Sequence, residues 1–190
     1  MGDSILIVAM GGAGRAIADS VRSYMCADLL LINAQARAET NNIEGSVSLT
    51  TPAGDSTFYS VRHSRAAALL VEDEITARLE KFQRIILTVG LGGATGSGVA
   101  PVVARLASAS GKDVLAAVTL PFAVERDRIS IADGALAELR PFCKEIVVHD
   151  HEKVTSLMAF NSLDEALQKV ADRLAQQVSA RLLCAPANAH

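Results

Sequence analysis

Cysteine is scarce in this chain, with three residues, Cys26, Cys143 and Cys184, odd in number and far apart. Such a set suits small buried thiols in a reducing compartment better than a disulfide frame, so a cytoplasmic location is expected. Long apolar runs are also missing. The longest are strand-sized and broken by glycine or charge, so no transmembrane segment is expected. Met1-Gly2-Asp3 leads straight into a strand pattern, and no secretion signal is expected either. The net charge is only −3 and the basic residues are scattered, which argues against a nucleic-acid partner. His149 and His151 stand close together with Cys143 upstream, but no Cys-x-x-Cys or His-x-x-x-His pair accompanies them. No zinc site is expected. Repeats, linkers and low-complexity tracts are absent as well.

What is present is a chain of 190 residues, half of them hydrophobic and 21% charged, a balance that supports one domain with a substantial core. Five aliphatic or β-branched runs read as strands: Ser4 to Ala9, Leu29 to Asn33, Arg84 to Val89, Asp113 to Thr119 and Glu145 to His149. Helical stretches between them predict an α/β fold, a parallel sheet with helices on both faces. Right-handed crossovers then bring the C-terminal ends of all five strands to one rim, where a site is expected.

Two of those rim connections are rich in glycine. Gly11-Gly12-Ala13-Gly14 follows the first strand and precedes a helix from Arg15 to about Tyr24. Gly90-Leu91-Gly92-Gly93-Ala94-Thr95-Gly96-Ser97-Gly98 follows the third and leads into a helix opened by Val99-Ala100-Pro101. Glycine lets a backbone turn sharply and approach a ligand, and a helix start behind it offers unpaired N–H groups to an anion. One such turn is ordinary punctuation. Two at the ends of parallel strands point to phosphate.

Residues 38–60 carry the breakers Asn41-Asn42, Gly45, Pro52 and Gly54, with a short strand possible at Ser46 to Thr50. A helix near Arg62 to Lys81 follows, with Leu69, Leu70, Ile75 and Leu79 as its apolar stripe. From Leu163 the residues Leu167, Val170, Leu174, Val178 and Leu182 recur at helical steps and define a long final helix. Ser162 with Glu165 forms a candidate capping box, Thr155 or Ser156 being the alternative start. The expected organisation is a nucleotide-binding domain over 1–155, the long helix over 156–184 packed on it, and a frayed tail over 185–190.

Gly92-Gly93-Ala94-Thr95-Gly96-Ser97-Gly98 resembles the tubulin/FtsZ superfamily signature Gly-Gly-Gly-Thr-Gly-Ser/Thr-Gly, with Ala94 in place of one glycine. Three further segments resemble FtsZ in the right order. Gly11-Gly12-Ala13-Gly14 is similar to its first phosphate loop, one residue shorter and with Arg15 where asparagine is usual. Asn33-Ala34-Gln35-Ala36 is similar to Asn-Thr-Asp-Ala, and Thr119-Leu120-Pro121-Phe122-Ala123-Val124-Glu125 to Thr-Lys-Pro-Phe-Asn-Phe-Glu. The resemblance implies a Rossmann-like GTPase domain that binds GTP or GDP, with Mg2+ accompanying GTP. It assigns Gly11, Gly12 and Gly14 to the α and β phosphates, Ala94, Thr95 and Gly96 to the β and γ phosphates with Gly92 and Gly93 of the same signature in the nucleotide set, and Glu125 to the ribose. Asn33 and Pro121 enter the nucleotide set through their matching segments. It assigns Phe160 to stacking on guanine and Asp164 to the guanine edge, whose N1–H and N2–H donors suit an acceptor-only carboxylate. Gln35 replaces the family's aspartate, and Ile129 an arginine, leaving Arg126 or Arg128 as substitutes and Arg15 to compensate phosphate charge.

Members of the family continue past the helix into a loop Asn-x-Asp-x-x-Asp and a second domain, and that loop orients the attacking water in a neighbouring subunit. Here the matching region stops after the helix, so the resemblance implies slow or undetectable intrinsic hydrolysis without catalytic residues of its own. It implies a cytoskeletal or regulatory role through a longer FtsZ-like partner or a homo-oligomer, with an uncovered side of the long helix as one contact. Two other readings stay open. A Rossmann-type NAD(P)-dependent oxidoreductase is opposed by Ile17 at the third glycine position and by Asn33 where an acidic ribose ligand is expected. An interaction module that kept the fold and lost the nucleotide is favoured by Ala94, Gln35 and the short first loop.

Overall fold

A strand covered on both faces needs an unbroken apolar run, and the central strands have one. The computed structural model describes residues 4–33, 46–49, 60–149 and 163–184. In chain order these form β1 (Ile5–Met10), α1 (Gly11–Arg22), β2 (Asp28–Asn33), β3 (Ser46–Ser48), α2 (Val61–Leu70), α3 (Glu72–Leu79), β4 (Arg84–Gly90), α4 (Ala94–Ala109), β5 (Asp113–Thr119), α5 (Arg126–Leu139), β6 (Glu145–His149) and α6 (Leu163–Cys184). All six strands are parallel, in the order β3-β2-β1-β4-β5-β6.

The twofold alternation of strand side chains divides the interior into two cores. Leu6, Val8 and Met10 of β1, with Ile85, Leu87 and Val89 of β4, face the layer built by α2, α3, α4 and α5. Ile7 and Ala9, with Ile86, Leu115 and Ala117, face α1 and α6. The α6 side of that second core is Val170, Ala171, Leu174, Ala175 and Val178, the stripe expected from helical spacing.

Chain order reverses direction between β1 and β4. From β1 the chain steps outward to β2 and β3, then returns to lay β4 against the other side of β1, with Met10 beside both Ile32 and Val89. Helices leaving β1 and β4 therefore depart to opposite faces, and a crevice opens between their starts.

Several boundaries differ from the sequence reading. The helix expected over Arg62 to Lys81 is two helices, because Val71 leaves helical geometry at φ −116 and ψ 21. That break resets the helical phase. Leu69 and Leu70 are 44% and 68% exposed, while Ser64, Ala67 and Ala68 take the inward side of α2 and Ile75 and Leu79 that of α3. The expected stripe is thus correct for its second half only. Helix α4 starts at Ala94 rather than near Val99, and Pro101 lies inside it. Its glycines lower intrinsic helicity, which hid the start, but buried packing overrides propensity there. Helix α1 likewise starts at Gly11. The fifth strand-to-strand helix, α5, sets β6 on the far edge, and the candidate capping residues Ser162, Thr155 and Ser156 lie outside the described residues. So do the expected boundary at 155/156 and the expected tail.

Candidate functional site

A cleft of about 800 Å³ opens at the C-terminal ends of β1, β2, β4 and β5, at the point where the strand order reverses. That volume lies within the usual range for a small-molecule site. Both glycine-rich turns border it.

The turns are held by different forces. Gly11 and Gly92 have φ of 69 and 93, a region that side chains disfavour. Gly14 and Gly96 instead allow close approach. A Cβ on Gly14 would stand 2.3 Å from the carbonyl oxygen of Thr88, and one on Gly96 would stand 2.2 Å from that of Gly90. These two residues let α1 and α4 press against β4. Ser97 adds a buried brace by accepting the Gly92 N–H at 2.9 Å, and the Leu91 N–H donates to the Thr119 carbonyl at 2.9 Å.

The starts of α1 and α4 share an unusual property. Neither has a side-chain cap, and neither has an acidic residue in its first turn. The other helices between α1 and α5 do not combine these features. Ser60 caps α2 by accepting the His63 N–H, α3 opens with Glu72, Asp73 and Glu74, and α5 has Asp127 in its first turn. Uncapped starts leave N–H donors and a partial positive charge, here aimed at one crevice.

Charged side chains complete the wall. Arg15 lines it while donating Nε–H to Asp19 Oδ2 at 3.2 Å, an exposed pair of small energetic worth. Across the cleft, Glu125 Oε1 accepts from Arg128 Nη1 at 2.7 Å and Oε2 accepts the Phe122 N–H at 3.1 Å. A carboxylate has about four acceptor positions, so Glu125 is oriented by these partners without being exhausted by them. Glu125 is the one carboxylate among the described residues lining the cleft.

The structure brings Gly11, Gly12, Arg15, Asn33, Gly93, Ala94, Thr95, Gly96, Pro121, Glu125 and Arg128 to the cleft wall. Asn33 ends β2, and its carbonyl accepts the Leu49 N–H at 3.1 Å. Gly14 and Gly92 are buried behind the wall, supporting it rather than lining it. Phe160 lies outside the described residues. Asp164 belongs to α6 through its backbone, and its side chain also lies outside them. Gln35 is outside as well. Leu167 was assigned to the apolar stripe, yet it lines the cleft and is 39% exposed. Its spacing, three residues after Asp164 and seven after Phe160, was the available signal. Thr119 and Phe122 also line the wall without having been assigned there.

Away from the cleft, Cys143 packs at the margin of the larger core, and burial pushes its thiol up to about 11. Cys26 is exposed. Among the described residues no three metal-binding side chains converge, and no helix is long and apolar enough to cross a membrane.

The parallel order, the reversal between β1 and β4 and the cleft above them define a doubly wound α/β domain, an architecture whose ligand sites lie beyond the strand ends. Residues 32–159 match the model of the Tubulin/FtsZ family, GTPase domain, and the chain belongs to that family. FtsZ 2 of Methanocaldococcus jannaschii is 34% identical over 113 residues, which are 60% of this chain and 30% of that protein. FtsZ of Neisseria gonorrhoeae is 27% identical over 193 residues, covering 92% of this chain and 48% of its own length. The solved structure of an empty FtsZ dimer from M. jannaschii superposes with a TM-score of 0.81 at 26% identity, over 99% of this chain and 57% of that one. The chain thus spans about half or less of the length of these curated relatives.

Proposed function

We propose that this chain is a cytoskeletal or regulatory guanine-nucleotide-binding module, taking GTP or GDP in the cleft between α1 and α4. The observation that carries this reading is the pair of uncapped, acid-free helix starts on adjacent strands β1 and β4. Two N–H clusters at one crevice suit a chain of phosphates better than a single anion. Gly11 and Gly12 bind one part of that chain, and Gly93, Ala94, Thr95 and Gly96 the other, with Arg15 offsetting charge. Glu125, held by Arg128 and Phe122, accepts from the ribose hydroxyls. Asp164 is assigned to the guanine edge and Phe160 to its face by the family resemblance, and the donor pattern of guanine matches a carboxylate better than that of adenine does.

Magnesium fits this site as a companion of GTP. It would take its ligands mostly from phosphate oxygens and water, and it would offset phosphate charge there. Phosphoryl transfer to water depends on orienting that water. In the family resemblance the water-orienting carboxylates come from a neighbouring subunit, and on that ground slow hydrolysis by this chain alone is proposed. A longer FtsZ-like protein, in the cytoplasm, is the proposed partner that would supply the water-orienting groups, and a homo-oligomer is the alternative assembly.

The test is titration of the purified 190-residue protein with GTP, GDP, ATP and NAD, together with a phosphate-release assay. GTP and GDP binding with little release is the expected result. NAD binding, or no binding to any of the four, overturns the reading.

A further inference from the structure

Helix α2 turns its small residues inward and its large apolar ones outward. Ser64, Ala67 and Ala68 are buried, whereas Leu69 and Leu70 are 44% and 68% exposed. Among the described residues these two are the one adjacent pair of exposed large hydrophobic side chains. A single exposed leucine is ordinary on a protein surface, but a contiguous apolar strip calls for a cover.

The orientation of α2 is imposed by its neighbours. A Cβ added to Gly98 of α4 would stand 2.5 Å from the Val61 carbonyl oxygen and 3.0 Å from the Ser64 Cβ, so the early turns of the two helices are in close contact. Arg65 Nη2 also donates to Glu138 Oε2 of α5 at 2.6 Å. These contacts fix the rotation of α2 about its axis, and the leucines cannot turn toward the sheet without breaking them.

On the outward face exposed Arg62, Ala66, Leu69 and Leu70 recur at helical steps, so a cation begins the strip and apolar groups continue it. Past the break at Val71, the first turn of α3 carries Glu72, Asp73 and Glu74. Glu72 is paired with Arg105 and Glu74 with Arg78, whereas exposed Arg62 and Asp73 have no ion-pair partner among the described residues. The order is thus cation, aliphatic groups, anion. A twofold axis through the middle superposes that order on itself. Two copies laid antiparallel bury leucine against leucine and bring each Arg62 to Asp73 of the other copy.

We propose that the outer face of α2 and the start of α3 form an isologous interface through which two copies of this chain associate. None of these residues lines the cleft, and the proposal does not depend on the nucleotide reading. With few apolar groups on each side the dimer is weak, and its population follows protein concentration.

Sedimentation velocity of the 190-residue protein without nucleotide, over a concentration series, reads the association directly. A shift from monomer to dimer is expected. Leu69→Gln combined with Leu70→Gln is expected to raise the dimer dissociation constant at least about tenfold, since these side chains are covered only in the dimer. Thermal unfolding of that variant at low concentration is expected to be unchanged, because neither leucine belongs to the core. Arg62→Glu and Asp73→Arg each weaken the dimer about fivefold, and the two together restore it. Wild-type protein that stays monomeric throughout the series overturns the proposal. A dimer indifferent to the leucine substitutions, or a charge exchange that fails to restore association, overturns it as well. None of these outcomes bears on GTP binding, which the titration tests separately.

Discussion

The Thr88 hydroxyl donates to the Gly14 carbonyl at 2.9 Å, and the Thr88 carbonyl lies where a Gly14 Cβ would be, at 2.3 Å. One residue of β4 thus both binds and excludes, holding α1 against the sheet at the edge of the cleft. Gly14→Ala forces the backbones apart and is expected to cost about 1–3 kcal/mol, the usual range for overpacking. Thr88→Val keeps the shape and loses the hydrogen bond, for about 1 kcal/mol. Urea unfolding of both variants checks the ranking, and a neutral Gly14→Ala sinks the close-approach argument.

Ser97→Ala leaves the buried Gly92 N–H without the acceptor it has at 2.9 Å. The expected loss is about 1–3 kcal/mol of stability. Because that N–H sits in the turn before α4, GTP affinity falls as well. Thermal unfolding with and without GTP separates the two effects, and a variant with unchanged affinity shows that the brace supports the fold only.

Glu125→Ala removes an acceptor aimed by Arg128 and Phe122. Wild-type protein should prefer GTP over its 2′,3′-dideoxy analogue by about tenfold, the worth of a hydrogen bond to a charged group, and the variant should lose that preference. A discrimination ratio that survives in Glu125→Ala removes the ribose assignment.

Arg15→Ala is expected to weaken GTP more than guanosine, by about threefold to tenfold, since its charge acts on phosphate. The side chain is 47% exposed, so the difference should shrink as salt screens it. Calorimetry at low and high ionic strength measures this. Equal loss for GTP and guanosine would assign Arg15 to the base or sugar.

Burial raises the Cys143 thiol from 9.0 to about 11, so the folded protein holds that proton more tightly than the unfolded chain. The stability tied to this group is complete below about pH 9 and is lost as pH rises toward 11. Thiol labelling at pH 8 should modify exposed Cys26 quickly and Cys143 slowly. Comparable rates at the two positions would contradict the burial.

Much of the fold was legible because its strands are apolar on both faces. Runs such as Ile85-Ile86-Leu87-Thr88-Val89 admit few other structures, and each of the five main expected strands lies within a residue of its observed limits, while the short strand possible at Ser46 to Thr50 is observed as Ser46–Ser48. The site was legible in part. Gly12, Gly93 and Glu125 line the cleft, whereas Gly14 and Gly92 belong to the support behind it. Sequence marks all these glycines alike, whereas their surroundings differ. The Leu69 and Leu70 error has a similar origin, since one non-helical residue at Val71 redirects every side chain on one side of it.

Local sequence was enough to set the alternation of strands and helices, the two glycine turns and the family, because aliphatic runs, helical spacing and glycine content act over neighbouring residues. It could not set which strands adjoin. The pairing of β1 with β4 arises from the return of the chain across the sheet, and it alone brings Gly12 and Gly93 to one crevice. Leu167 became part of that crevice by the same kind of long-range contact, through α6 packed on α1, where distance along the chain no longer measures distance in space.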